Sequence, residues 1–331
     1  MKALKITFII IIGLVVIYLI GPRMPEPVYS KVLPQIQCNI ENLENYIDSY
    51  EKKLSIKPDN QSRVIWHNDS LKQSTEYALL YLHGFSASWY EGADTHLQFA
   101  QATGMNAYFH RLATHGLVTK EALIDMTPDT LYNSAKEALM IAHKLGKKVV
   151  IMSTSTGGTL SLKLAADFPE LIHSLILYSP NIRINDGSAF MLDKPWGLQI
   201  ARKVLGSNYR TLTPKDAIDS KYWYNKYRIE AIVYLQQLVN TTMHSNTFKS
   251  VKCPIFLGYY FRDEQNQDPV VRVDAMMKMF NELGTTETLK QKVAFPTADT
   301  HVIANSHFSP AAPKVLEETI KFWNSTQHSK P

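Results

Sequence analysis

The stretch Lys147–Asp167, KKVVIMSTSTGGTLSLKLAAD, decides the fold of this chain. It begins with an apolar run, Val149–Met152, that is long enough for a buried strand and too short for a helix. Only small residues follow in Ser153–Gly158, and from Leu160 onward apolar residues recur at the spacing of a helix packed on a sheet. The stretch therefore predicts a buried strand, an abrupt turn and a helix.

Ser155 stands at the apex of the predicted turn. A serine between a strand and a helix is the context in which a G-x-S-x-G element presents a nucleophilic hydroxyl, with the amides of the first helical turn beside it. Ser153 replaces the first glycine of that motif, while Gly157 occupies the second. An ordinary turn whose serines and threonines cap a helix has the same hexapeptide pattern, so the rest of the chain must decide between them.

The composition is that of a globular protein with one large core or two modest ones. The net charge of +5 over 331 residues is small, and there is no basic stripe with interleaved aromatics, so we expect no nucleic acid partner. Cys38 and Cys253 match no zinc-binding or disulfide-framework spacing. A single disulfide between them is an alternative if the domain is in an oxidising compartment. His110 and His115 have no metal-site spacing either, and we interpret both as structural.

The N-terminus carries Lys2 and Lys5 ahead of an apolar run, Ile6–Ile20. Its length falls between a signal-peptide apolar region of about 7–15 residues and a membrane span of about 20. Because no A-x-A site follows, we expect residues 1–22 to form an uncleaved membrane anchor rather than a cleaved signal. The lysines would stay on the cytoplasmic side, so the rest of the chain would be exported. Residues 23–38, which contain several prolines, are expected to be a linker.

The remaining elements follow from hydrophobic periodicity. Apolar runs predict further strands at 63–66, 77–82, 171–177, 254–260 and 292–295. Helical spacing predicts helices at 39–54, 127–143, 228–239, 273–283 and 314–323. The segment between the third and fourth of these strands is too long for a simple connection.

The strand at 77–82 runs directly into His83-Gly84-Phe85-Ser86, well upstream of Ser155. With these motifs the sequence resembles the α/β-hydrolase fold superfamily, and most closely its serine esterases and monoacylglycerol-lipase-like members, from about Ile65 to the end. The resemblance implies a mostly parallel central sheet flanked by helices, a hydrolase domain over 39–331, and a cap domain inserted at about 182–252. It also implies that the backbone N–H groups of Phe85 and Thr156 form an oxyanion hole.

A nucleophilic serine needs a histidine to take its proton and an acid to orient that histidine, and in this fold they follow in the order Ser, Asp or Glu, His. The resemblance favours Asp268 as the acid because it stands before a Pro-Val-Val turn, with Asp263 and Glu264 as alternatives. It implies His301, on the loop after the last strand, as the base. His307 is the alternative base, although its position favours a polar residue at the start of the last helix.

These observations predict an exported, membrane-tethered serine hydrolase that cleaves carboxylic esters through an acyl-enzyme, with no metal or cofactor. Short-chain or monoacyl lipid esters are the expected substrates. The same triad acting on a peptide, amide or thioester is a second hypothesis, since fold alone does not set the substrate. A third hypothesis is a non-catalytic binding protein on a hydrolase scaffold. It is motivated by Ser153, which departs from the G-x-S-x-G motif, and by the presence of more than one candidate acid. The aromatic residues of the cap either line an acyl pocket or form the cap's own core.

Overall fold

The computed structural model describes residues 2–328, so Met1 and residues 329–331, at the ends of the predicted anchor and hydrolase domain, lie outside the described residues. Its strands, in chain order, are β1 Arg63–Ile65, β2 Thr75–Leu82, β3 Asn106–His110, β4 Gly146–Thr154, β5 Ile172–Tyr178, β6 Tyr209–Thr211, β7 Lys226–Arg228, β8 Ile255–Tyr259 and β9 Lys290–Ala294. The central sheet has the order β1-β3-β2-β4-β5-β8-β9, and the neighbours are parallel except for β1 and β3. The predicted α/β class and mostly parallel sheet are confirmed.

Helices cover both faces of this sheet. In chain order, all α-helices of the described residues are α1 Lys2–Leu19, α2 Leu43–Glu51, α3 Thr95–Thr103, α4 Pro128–Leu145, α5 Thr156–Asp167, α6 Gly197–Leu205, α7 Ala217–Tyr222, α8 Ile229–Thr242, α9 Ser245–Ser250, α10 Val273–Glu282 and α11 Ala312–His328. Alternate residues of a strand point to opposite faces. Leu80 and Leu82 of β2 accordingly belong to the buried cluster that contains residues of α4, α5 and α10, whereas Leu79 and Tyr81 belong to the cluster that contains residues of α3 and α11. Because the central strands are buried on both faces, they are continuous apolar runs in the sequence.

The strand β3 and the helix α3 that precedes it were not predicted. All five residues of β3 are buried, but Asn106 and His110 at its ends interrupt the apolar run that would have marked a strand. The Asn106 side chain donates to the carbonyl of Leu145 at 2.9 Å, so tertiary contacts satisfy a polar group that the local pattern leaves unexplained. In α3 only a few apolar residues, among them Phe99, face the core.

The segment between β5 and β8, which we call the inserted segment, folds over the carboxyl edge of the sheet. It contains α6–α9 and the antiparallel pair β6–β7. Helices α8 and α9 contact α5, the helix that follows Ser155. The segment therefore packs on the helix that follows the predicted nucleophile.

The N-terminal residues form α1, followed by an irregular segment at 23–38. None of the helices in the described part of the chain has the length and apolarity that a bilayer crossing requires. The membrane span predicted at residues 1–22 is therefore not supported. Lys136 of α4 donates through Nζ to the carbonyls of Ser30 at 2.7 Å and Val32 at 2.8 Å, so the segment at 23–38 lies along the protein surface. Within residues 2–328, both cysteines are free thiols.

Candidate active site

Ser155 lies between β4 and α5 with φ 54° and ψ −117°, a backbone conformation that is rare and strained for a residue with a side chain. Its N–H donates to the carbonyl of Tyr178 at 3.0 Å, and its carbonyl accepts from the N–H groups of Gly158 and Asn181, both at 2.9 Å. Bonds to β5, to the following loop and to α5 thus hold the turn in place. Ser155 itself is 6% exposed.

The glycine that follows Ser155 by two positions is required by close packing. Gly157 lies directly on the backbone of Leu82, where no side chain fits. A glycine allows this approach because it has no Cβ atom. The turn after β4 is therefore in contact with the end of β2, which leads into the His83-Gly84 turn.

Ser153, the departure from the G-x-S-x-G pattern, is fully buried and has a hydrogen-bond partner. The Ser161 hydroxyl lies 3.0 Å from the Ser153 hydroxyl and 2.8 Å from the carbonyl of Gly157. A buried hydroxyl is costly only when it lacks a partner. The extra hydroxyl at position 153 is thus accommodated by a serine on the facing side of α5.

Asp268 and His301 come together although they are far apart in the sequence. The Nδ1 atom of His301 lies 2.7 Å from Oδ2 of Asp268, and the other carboxyl oxygen accepts from the N–H groups of Val270 at 2.9 Å and Val271 at 3.0 Å. An ionised carboxylate only accepts, so Nδ1 carries the hydrogen and donates. Among the described residues, Nε2 of His301 is buried and has no hydrogen-bond partner. The ring is therefore oriented with its basic nitrogen unoccupied.

The two groups stabilise each other's charged forms. Burial alone lowers the pKa of His301, but the carboxylate of Asp268 and its hydrogen bond raise it by more, so its pKa lies above the ordinary 6.5. Burial alone raises the pKa of Asp268, but His301 and the two backbone amides hold it below the ordinary 3.8. Asp268 is accordingly a carboxylate at neutral pH, and His301 can accept a proton through Nε2.

The alternative acids and base lie elsewhere. Asp263 accepts hydrogen bonds from Gln265 and Asn266 within its own loop. Glu264 is exposed. The exposed ring of His307 lies 2.7 Å from the carboxylate of Asp216 in the inserted segment. Of the predicted acids and bases, the structure thus brings Asp268 and His301 together.

The two predicted oxyanion donors are on loops that contact each other. Thr156 is the first residue of α5, where backbone N–H groups have no acceptor within the helix. Phe85 follows Gly84, and a Cβ atom placed on Gly84 would lie 2.9 Å from Cβ of Ser155. The residues that carry both predicted donors are consequently next to positions that contact each other, Gly84 and Ser155.

The inserted segment covers this site. The Tyr224 N–H donates to the carbonyl of Ser86 at 2.8 Å, and the Tyr227 ring meets the Phe85 ring edge-on with centroids 5.0 Å apart. His301 is only 8% exposed. Two aromatic residues of the inserted segment, Tyr224 and Tyr227, therefore pack on the loop after β2. A third, Trp196, instead donates its indole N–H to the carbonyl of Ile17.

One residue at the site was missed by the sequence analysis. Glu91, 2% exposed, accepts the N–H of Gly84 through Oε2 at 2.5 Å. It follows Trp89 and Tyr90 in a short 3-10 turn, and no motif marks it. One feature of the sequence could have indicated Glu91. It is the only Asp, Glu, Lys or Arg in the stretch His83–Ala93.

The buried histidines near the site are engaged in hydrogen bonds. The ring of His110 contacts the hydroxyls of Tyr108 at 3.0 Å and Ser134 at 2.7 Å, and that of His115 contacts the carbonyl of Ala113 at 2.9 Å. Across residues 2–328, no group of three or more His, Cys, Asp and Glu side chains is arranged to hold a metal ion.

Comparison with known proteins places this site in context. The family model described as serine aminopeptidase, S33, matches residues 73–298, which is more than half of the chain. A solved structure from work on LipS and LipT, two metagenome-derived lipolytic enzymes, superimposes with a TM-score of 0.62 at 18% identity over 81% of this chain and 98% of that one. A monoacylglycerol lipase of Paleococcus ferrophilus gives 0.57 at 12% identity, covering 80% and 98%. Est1E of Butyrivibrio proteoclasticus, with bound ferulic acid, gives 0.53 at 15% identity, covering 80% and 95%. No curated protein sequence matches the chain.

Proposed function

Because the chain belongs to the serine aminopeptidase S33 family and has the α/β-hydrolase fold, we propose that it is a serine hydrolase that cleaves carboxylic esters. The observation that carries this proposal is the hydrogen bond between Asp268 and His301, which leaves Nε2 of His301 unoccupied in the described structure. The strained turn at Ser155 supports it independently, since a nucleophile elbow requires such a conformation.

In the proposed reaction, Oγ of Ser155 attacks the ester carbonyl while Nε2 of His301 takes its proton. The N–H groups of Phe85 and Thr156 stabilise the tetrahedral oxyanion, and one such donor contributes about 2.7–4 kcal/mol in known enzymes. His301 then gives the proton to the leaving alcohol, and water hydrolyses the acyl-enzyme by the same route in reverse. Asp268 keeps the imidazole in the tautomer with hydrogen on Nδ1.

The proposed substrates are short-chain or monoacyl lipid esters. The names of the similar structures, lipolytic enzymes, a monoacylglycerol lipase and Est1E with ferulic acid, favour esters. The description of the family as serine aminopeptidase favours the second candidate, hydrolysis of an aminoacyl amide by the same three side chains. Competing p-nitrophenyl esters of graded chain length against aminoacyl p-nitroanilides on one preparation distinguishes the two.

The test of the mechanism is covalent labelling. A fluorophosphonate is expected to modify Ser155, with loss of labelling in Ser155→Ala and a drop in turnover of about a million-fold. A label at another residue would refute the assignment. If wild type bound an ester but neither reacted nor was labelled, the third hypothesis, a non-catalytic binding protein, would replace it.

We also propose that the chain is exported. The two lysines before the apolar run Ile6–Ile20 are typical of export signals, and the run is at the upper limit of the length of a signal-peptide apolar region, about 7–15 residues. Fractionation of expressing cells, with N-terminal sequencing of the product, tests this directly. Recovery of the full chain from the cytoplasm alone would reject it.

A further inference from the structure

Glu91 places a second carboxyl group beside the proposed nucleophile. A Cβ atom on Gly84 would lie 2.9 Å from Oε1 of Glu91 and 2.9 Å from Cβ of Ser155. The carboxyl group and the serine are therefore close to the same point beside Gly84. Oε2 of Glu91 accepts the Gly84 N–H at 2.5 Å. The carboxyl group thus contacts the backbone immediately before Phe85.

The Gly84 carbonyl is held as well. The Leu112 N–H donates to Nε2 of His83 at 3.0 Å, so the hydrogen of that ring is on Nδ1, which lies 2.9 Å from the carbonyl oxygen of Gly84. Glu91 therefore fixes the N–H of Gly84 and His83 fixes its C=O. Glycine has the widest backbone freedom of any residue, so without such bonds this position would rotate easily.

The orientation of Gly84 determines where the Phe85 amide points. In a trans peptide unit, the C=O of one residue and the N–H of the next lie in one plane and point in opposite directions. Fixing both sides of Gly84 consequently directs the Phe85 N–H. A donor in an oxyanion hole works only when it is aimed in advance at the place where charge develops.

The pKa of Glu91 is unusual for a carboxyl group whose only role is to hold a loop in place. Burial raises the pKa of Glu91 to about 7, while the Gly84 amide and His301 act in the opposite direction. The titratable groups of the described residues that interact with it are His301, on the loop after β9, and Tyr81, on β2. In that same part of the chain, no lysine or arginine forms an ion pair with Glu91. Its negative charge contributes to the raised pKa of His301.

We propose that Glu91 is a positioning residue that holds Gly84 so that the Phe85 N–H faces the substrate oxyanion. Its charge also acts on the proposed base, His301. This inference rests on the proposed function, because an oxyanion hole has a role only if Ser155 attacks a carbonyl group.

Two substitutions separate the proposed role from a general contribution to folding. Glu91→Leu removes the acceptor for the Gly84 N–H, and we expect kcat on a p-nitrophenyl ester to fall about 10- to 100-fold, with KM changed by less than about threefold. Glu91→Gln keeps an acceptor oxygen and removes the charge, so kcat should recover to within about fivefold of wild type. Because the negative charge is lost, the pKa of His301 should fall, and the acidic limb of kcat/KM should move to lower pH.

Glu51→Gln is the matched control. Glu51 is a largely buried carboxylate that accepts the Ser62 N–H at 2.9 Å, and it pairs with Arg111 away from Ser155. Its substitution should lower stability without moving the acidic limb. The proposal is overturned if folded Glu91→Leu retains the kcat of wild type. Should that variant not fold, an unmoved acidic limb in Glu91→Gln overturns it. Failure of wild type to react with a fluorophosphonate would instead refute the proposed function.

Discussion

The carbonyl oxygen of Leu82 occupies the space that a side chain at Gly157 would need, since a Cβ atom there would lie 2.0 Å from it. The end of β2 and the start of α5 are thereby pressed together, and the two loops that carry Phe85 and Thr156 become neighbours. This contact joins backbone to backbone, so neither side can yield by changing a rotamer.

Gly157→Ala is therefore expected to destabilise the fold strongly. Overpacking usually costs about 1–3 kcal/mol, and a clash with backbone should reach or exceed about 3 kcal/mol. Urea unfolding of the purified variant measures the change in the free energy of unfolding. Gly187→Ala is the control, because a Cβ atom at Gly187 has no neighbour within 4 Å among the described residues. Equal stability of the two variants would contradict the packing argument.

The choice of acid leads to a second prediction. Asp268→Asn should lower kcat by about 10⁴-fold, since the amide stabilises the wrong imidazole tautomer in an otherwise intact site. Asp263→Asn should leave kcat within about twofold of wild type, because Asp263 bonds only to its own loop in the described structure and does not act on the histidine. Steady-state rates on one p-nitrophenyl ester compare the two. A larger loss in Asp263→Asn would reverse the assignment.

A third prediction concerns pH. The proposed reaction needs neutral His301, whose pKa is raised by Asp268, so kcat/KM should increase with pH and reach half its maximum above pH 6.5. Without the carboxylate of Asp268, the largest contributions that raise the pKa of His301 are lost, so the effect of burial lowers that pKa. The rate of fluorophosphonate labelling in Asp268→Asn should therefore reach half its maximum at a lower pH than in wild type. An unshifted midpoint would show that Asp268 does not govern His301.

A fourth prediction addresses how the inserted segment is held. Tyr222 of α7 stacks on Tyr90 with ring centroids 4.2 Å apart, and its hydroxyl donates to Asp59. Tyr222→Ala loses both contacts and should cost about 3–5 kcal/mol, as for other large aromatic truncations. Tyr222→Phe keeps the stack and should cost about 1.5–3 kcal/mol, the contribution of a hydrogen bond to a charged group. Chemical denaturation gives both values, and a Phe variant as unstable as the Ala variant would refute the importance of the stack.

Much of the architecture could be predicted because it depends on local patterns and on chain order. The buried central strands are apolar runs, and the order of Ser155, Asp268 and His301 along the chain restricts which residues can meet. Strand β3 was missed because Asn106 and His110 are satisfied by distant partners. No local pattern contains that information.

Glu91 was missed for the same physical reason. Its importance comes from a hydrogen bond to Gly84 and from burial, neither of which has a sequence signature. The predicted membrane span, by contrast, relied on the apolar run Ile6–Ile20, its flanking lysines and the missing A-x-A site, and no described helix is both long and apolar enough to cross a membrane.

The bond between the hydroxyls of Ser153 and Ser161 has an evolutionary consequence. A serine at 153 facing alanine at 161 would bury a hydroxyl without its present partner, whereas glycine at 153 would remove the need for it. We therefore expect these two positions, eight residues apart, to co-vary among relatives, with paired serines and glycine with a small apolar residue as the two recurrent combinations.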